Sequence, residues 1–155
     1  NGLTMNEMIQ MRCNFCHRHD VATPGMEEIN LAKQLVIKKK CLICHVVEGR
    51  GGVTGPELTY EADRNPELLS FAHVHGERTM FNWNVQHLTQ ASVVSPNTQM
   101  PDFNMKPEES RALTLLLLSW RRLPYPPEYI PDPQVAAAAM QPSPTSTATP
   151  TPIAR

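Results

Sequence analysis

The chain has 155 residues, with 14 Lys and Arg against 15 Asp and Glu and a formal net charge of -1. That length is one ordinary domain or a small domain with appendages, and the charge balance does not point to nucleic acid. The longest apolar stretch, residues 112–118, is far short of the roughly 20 apolar residues that span a bilayer.

Three zones follow one another. Residues 1–25 carry Cys13-Asn14-Phe15-Cys16-His17 and close on Thr23-Pro24-Gly25, a turn signal. Residues 26–123 hold most of the helical periodicity. The spacing predicts a helix over 26–40, with Ile29, Ala32 and Val36 on one face and Leu35 beside them. Lys38, Lys39 and Lys40 place cations at the negative end of its dipole. A second pentapeptide follows at once, Cys41-Leu42-Ile43-Cys44-His45, and then a run of breakers: Gly49, Gly51, Gly52, Gly55 and Pro56. Pro66-Glu67-Leu68-Leu69 opens a helical turn or more, and 80–90 is predicted as a further helix. Pro107-Glu108-Glu109 starts a last helix, running to about Arg122 and burying Leu113, Leu116, Leu117 and Trp120 before Pro124 stops it. No segment shows strand alternation. Residues 124–155 contain nine of the fifteen prolines and finish in Ser/Thr/Pro/Ala low complexity.

The two pentapeptides are both C-x-x-C-H and use all four cysteines. This is the attachment signature of c-type haem. Two thiols three positions apart reach the two vinyl groups on one side of a porphyrin, and the adjacent histidine comes under the iron as its proximal ligand. Two other readings use the same residues. Local disulfides are one, although neither pair sits in a thioredoxin-like βαβ pattern. A zinc site is the other, taking Cys13, Cys16, Cys41 and Cys44 or including His17 and His19. The doubled pattern with no cysteine left over favours two haems c. A 6% aromatic content suits a core whose largest apolar element is a porphyrin. Haem of this kind is attached after export, so the expected location is the periplasmic or other extracytoplasmic face of a bacterial membrane. The chain is expected there as a peripheral protein or one anchored by a segment preceding Asn1.

From about Ala32 to Trp120 the chain resembles a class I cytochrome c domain. Ala32-x-x-Leu35-Val36 stands where that family has Gly-x-x-Leu-aromatic; Gly55-Pro56-Glu57-Leu58 is similar to its Gly-Pro-x-Leu, and Met100-Pro101-Asp102-Phe103 to its Met-Pro-x-Phe/Tyr. The resemblance implies an all-α helical fold around haem, preceded by an extension that carries the first pentapeptide and followed by an extended tail. It implies that the Pro56 carbonyl accepts a hydrogen bond from His45, that Met100 is the distal ligand, and that the small Ala32 lets the first and last family helices cross closely. The run Arg78-Thr79, Trp83, Gln86-His87-Leu88, Pro96 and Met100-Pro101 resembles cytochrome c subunits of membrane respiratory complexes: the monohaem subunit of some haem-copper oxidases and the cytochrome subunit of alternative complex III. The chain departs from the family at Val36, at Lys106 in place of a Ser or Thr cap (a loss of about 1 kcal/mol), and in its extra pentapeptide.

The expected site is therefore Cys13, Cys16 and His17 for one haem and Cys41, Cys44, His45 and Met100 for the other, with Met105 the rival of Met100. His73, His75, His19 and Met26 are the candidates for the first haem's distal ligand, His73 foremost. Arg78 and Trp83 are candidate donors to haem propionates, and His87 a residue packing near the haem edge. Such a protein is an electron-transfer subunit and does no bond chemistry alone. Its expected partners are the other subunits of a membrane electron-transfer complex and a redox partner, a cytochrome or cupredoxin. A mobile periplasmic shuttle and a haem that binds gas or peroxide are the alternatives. Tyr125, Tyr129 and Ile130 in the proline-rich tail are expected to anchor it on the complex.

Overall fold

The computed structural model describes residues 2–122. The tail and its Tyr125, Tyr129 and Ile130 lie outside the described residues. The fold is all-α: five α-helices and one minimal hairpin among the described residues.

Helix α1, Met5–Cys16, was not anticipated by the apolar periodicity, because its polarity is inverted. Its inward face is polar, with Glu7, Gln10 and Asn14 buried, while Met5, Met8 and Ile9 face outward. Its start is a capping box. The Thr4 side chain accepts from the Glu7 amide, and the Glu7 carboxylate accepts from the Thr4 amide at 2.7 Å.

Helix α2, Glu27–Lys38, buries Ile29, Ala32 and Leu35. Helix α3, Met80–Thr89, is capped by the Thr79 hydroxyl and runs almost directly into the single turn of α4, Ala91–Val94. Helix α5, Pro107–Ser119, is buried over most of its length and forms the hub, packing on α1, α2 and α3. Ala32, Leu35, Ala112, Leu113 and Leu116 belong to one continuous core with Met26, Ile29 and Trp120. At the start of α5 the Glu109 carboxylate accepts from the Lys106 amide at 3.1 Å. That bond satisfies the amide of the cap residue itself, the half of a capping box that needs no Ser or Thr.

The predicted helical start at Pro66 is one 3-10 turn, Pro66–Leu68. Strands β1, Val46–Val47, and β2, Arg50–Gly51, form the hairpin, with Val46 opposite Gly51 and Val47 opposite Arg50. No helix of the described residues is long and apolar enough to cross a membrane.

Candidate haem sites

The second pentapeptide is built where α2 ends. The Lys39 amide donates to Leu35 O, and Lys40 turns into the left-handed region at φ 57. Cys41–Ile43 then form a 3-10 turn, and the His45 amide closes on Cys41 O at 3.0 Å. The hairpin folds the chain back onto the pentapeptide: the Gly52 amide donates to Leu42 O at 2.9 Å and the Gly55 amide to Cys44 O at 2.7 Å. A Cβ at Gly52 would stand 1.8 Å from Ile43 O, and one at Gly55 would stand 2.7 Å from Cε1 of the His45 ring. Both positions require glycine, because side chains there would occupy the space of the pentapeptide itself. His45 Nδ1 and the Pro56 carbonyl are 2.8 Å apart. A carbonyl only accepts, so Nδ1 carries the proton and Nε2 keeps the lone pair that a metal needs.

A cleft with a largely apolar lining opens beside this turn, the character of small-molecule and cofactor sites. Cys41, His45 and Met100 line it, as do Val36, Leu58, Leu113 and Trp120. Burial pushes the Cys41 thiol up. The polar wall carries Glu61 and Arg64, joined at 2.8 Å. Burial raises the Glu61 carboxyl even against the Arg64 guanidinium. His87 also lines the cleft, stacked on Trp83 with ring centroids 4.4 Å apart. Burial, then the neighbouring His45, brings His87 down to about 4, so it is neutral near pH 7.

These residues fit a haem. The cleft is largely apolar, the Cys41 thiol lies in its wall, and a nitrogen and a thioether line it. Met100 and Met105 separate here, since Met100 lines the cleft while Met105 is buried in the main core. Arg78, by contrast, is exposed and outside the cleft lining. Trp83 lines the cleft, but its Nε1–H donates to Ser70 O at 3.1 Å. Residue type alone did not single out Glu61 and Arg64; the fold brings them to the wall.

The first pentapeptide is the last turn of α1, with His17 as its C-cap. Cys13 and Cys16 are exposed free thiols, on the same outward face as Met5 and Ile9. His17 Nδ1 is 2.7 Å from the Asp20 carboxylate, whose pKa this contact lowers first among several causes. Lys33 Nζ donates to His17 O at 2.7 Å and to Asp20 O at 2.8 Å, clamping the turn to α2. Arg18 donates to Thr59 O at 2.6 Å and lies over the Trp120 ring. Two thiols on one helix face and an imidazole with its Nδ1 satisfied fit covalent haem attachment, without the deep cleft of the second site. Met26 is buried in the core. His19 is exposed near Glu48, His75 is tied through its backbone to Gln86, and His73 is exposed; no described contact brings any of these histidines to His17. All four cysteines are free, and no group of three His, Cys, Asp or Glu suited to a metal stands together among the described residues. The disulfide and zinc arrangements therefore have no geometric support there.

A cleft of this kind, on an all-α core and beside a glycine-backed C-x-x-C-H, defines a class I haem protein of electron transfer. The Cytochrome c family model matches residues 29–120, more than half of the chain, and the protein belongs to the cytochrome c family. Its cofactor is haem c. The match contains the second pentapeptide and Met100 and begins after the first pentapeptide. No curated protein and no solved structure matches the chain.

Proposed function

We propose that the chain carries electrons as a subunit of a membrane-bound respiratory or photosynthetic complex, between quinol oxidation and a periplasmic acceptor. In this reading it binds two haems c: one through Cys13, Cys16 and His17, the other through Cys41, Cys44, His45 and Met100. Bound haem c supplies a one-electron couple. His45 is braced by Pro56, which leaves Nε2 as the atom that would hold the iron. Met100 contributes a thioether, which favours ferrous iron and a comparatively high potential. The apolar wall would keep water from a bound haem.

The observation that carries the reading is the His45–Pro56 bond beside an apolar cleft that also holds Met100. Membership of a complex is supported by the outward apolar stripe of α1. Met5 is 69% and Ile9 53% exposed, beside the two thiols. Large apolar side chains grouped on one helix face mark surfaces that meet another protein. The resemblance of residues 78–101 to complex-bound cytochromes and the Tyr-bearing proline-rich tail point the same way. The partners proposed are the other subunits of that complex and a cytochrome or cupredoxin acceptor, on the extracytoplasmic side of a bacterial membrane.

Intact mass of the holoprotein tests the cofactor count: two haem additions are expected, and one overturns the reading of the first pentapeptide. Washing membranes with salt and then detergent tests the subunit reading. Release only by detergent, with other redox subunits, supports it; full recovery in the soluble fraction favours the mobile shuttle.

A further inference from the structure

The two proximal histidines are held by different acceptors. His45 Nδ1 meets a neutral backbone carbonyl at 2.8 Å, and His17 Nδ1 meets the Asp20 carboxylate at 2.7 Å. The second contact is built in at several points. The Asp20 amide donates to His17 O at 3.2 Å, the Thr23 hydroxyl donates to the same Asp20 oxygen at 3.3 Å, and Lys33 grips both backbone carbonyls from α2. Surface ion pairs contribute little to stability, about 0–1 kcal/mol. Their effect on a ligand is another matter, because an outer partner sets the tautomer and raises the basicity of the histidine it holds.

We propose that Asp20 is a positioning residue for His17, giving the first haem a more strongly donating imidazole and a potential below that of the second. The inference rests on the two-haem reading above. A carboxylate draws the Nδ1 proton toward itself, so Nε2 carries more electron density. That density, and the negative charge itself, stabilise ferric over ferrous iron. The couple exchanges one electron, and the proton stays within the His17–Asp20 bond. The opposing charge is Lys33, whose Nζ is occupied by the two carbonyls. Asp20 and the carbonyl of Pro56 thereby order the two sites energetically, with His17 on the lower-potential side.

The test is a potentiometric titration of the full holoprotein, followed optically, for wild type, Asp20→Asn, Asp20→Ala and Asp20→Glu, with electron paramagnetic resonance of the oxidised forms. Asp20→Asn should shift the lower wave upward by on the order of tenfold in its redox equilibrium, about 59 mV for a one-electron couple. The upper wave should stay in place. Asp20→Ala should shift the lower wave at least as far, Asp20→Glu should restore most of it, and only the first haem's resonance should change. If both haems are attached and neither Asn nor Ala moves the lower wave, the role of Asp20 is overturned while the two-haem reading stands. Equal movement of both waves overturns it too, since that is a general structural effect. A mass showing one haem in the wild type overturns the two-haem reading and this inference with it.

Discussion

His17 and His45 end the same five-residue pattern, but the chain surrounds them differently. His45 follows an α2 terminus, is backed by Gly55 and a carbonyl, and faces a cleft lined by the core helices. His17 caps a helix whose thiols point outward, and its ring is held by a carboxylate on the surface. A pentapeptide encodes attachment; what encloses the attached group comes from residues distant in sequence. The second pentapeptide is therefore built into the core, whereas the first stands on its surface.

The strongest way to break that comparison is to remove each cysteine pair in turn. Cys41→Ala with Cys44→Ala should leave an unfilled apolar cleft in the core and cost several kcal/mol, because both the bound group's stabilisation and its packing are lost. Thermal melts by far-UV circular dichroism should show a fall of well over about 10 °C. Cys13→Ala with Cys16→Ala should remove one haem by mass yet shift the melt by only a few degrees, since those thiols are exposed. Equal losses from both pairs would mean that the first site is also a core element.

Replacing Met100 with Ala tests the enclosure of the second site. The haem should remain attached through its thioethers, the far-red sulfur-to-iron charge-transfer band should vanish, and the potential should drop. Met105→Leu should leave both unchanged, because that side chain packs in the core. A spectrum that survives Met100→Ala would assign the sixth ligand elsewhere.

What could be read from the sequence divides along the same line. The helices predicted at 26–40, 80–90 and 107–122 were legible because each buries apolar residues, although the structure ends them at Lys38, Thr89 and Ser119. The pentapeptides, Gly55-Pro56 and Met100-Pro101 were legible because they are short and local. Helix α1 was not, since it docks by polar contacts across the whole chain: Glu7 with Arg111, and Asn14 Nδ2 with the Ser119 hydroxyl at 2.7 Å. Its capping box, Thr4 to Glu7, was the one local signal of a helix there. Trp83 and Arg78 were read from residue type as propionate donors, but partner choice is tertiary. Trp83 bonds to Ser70 O, and the cation in the cleft wall is Arg64.

The seam between α1 and the core should be sensitive to acid. The Arg111 hydrogen bond, foremost among several causes, holds the Glu7 carboxyl down at about 2, against 4.5 for an ordinary Glu. Glu7 binds its proton more weakly folded than unfolded. Its contribution is thus complete above about pH 4.5 and is lost as the pH falls through 2. Glu7→Gln should cost about 1–2 kcal/mol at pH 7, discounted because Arg111 is partly in water, and the deficit against wild type should close as the pH falls below 4.5. Hydrogen exchange should place the loss in α1 with α2 little changed. A deficit independent of pH would mean that the ion pair does not hold the seam.

The smallest effect concerns how the chain approaches each pentapeptide. The first is reached inside a regular helix. The second is reached through Lys40 at φ 57, a left-handed conformation that a side chain disfavours by roughly 1 kcal/mol and glycine does not. Lys40 makes no side-chain capping bond there. Lys40→Gly should therefore stabilise the folded protein by up to about 1 kcal/mol, less what the more flexible unfolded chain takes back. A denaturant melt of the holoprotein should show a higher midpoint with an unchanged slope, and the haem spectrum should not move. Lys40→Val should do the reverse, because a β-branched side chain tolerates this conformation least. If both variants melt like the wild type, the Lys40 backbone relaxes at little cost, and the approach to the second pentapeptide is no more constrained than the approach to the first.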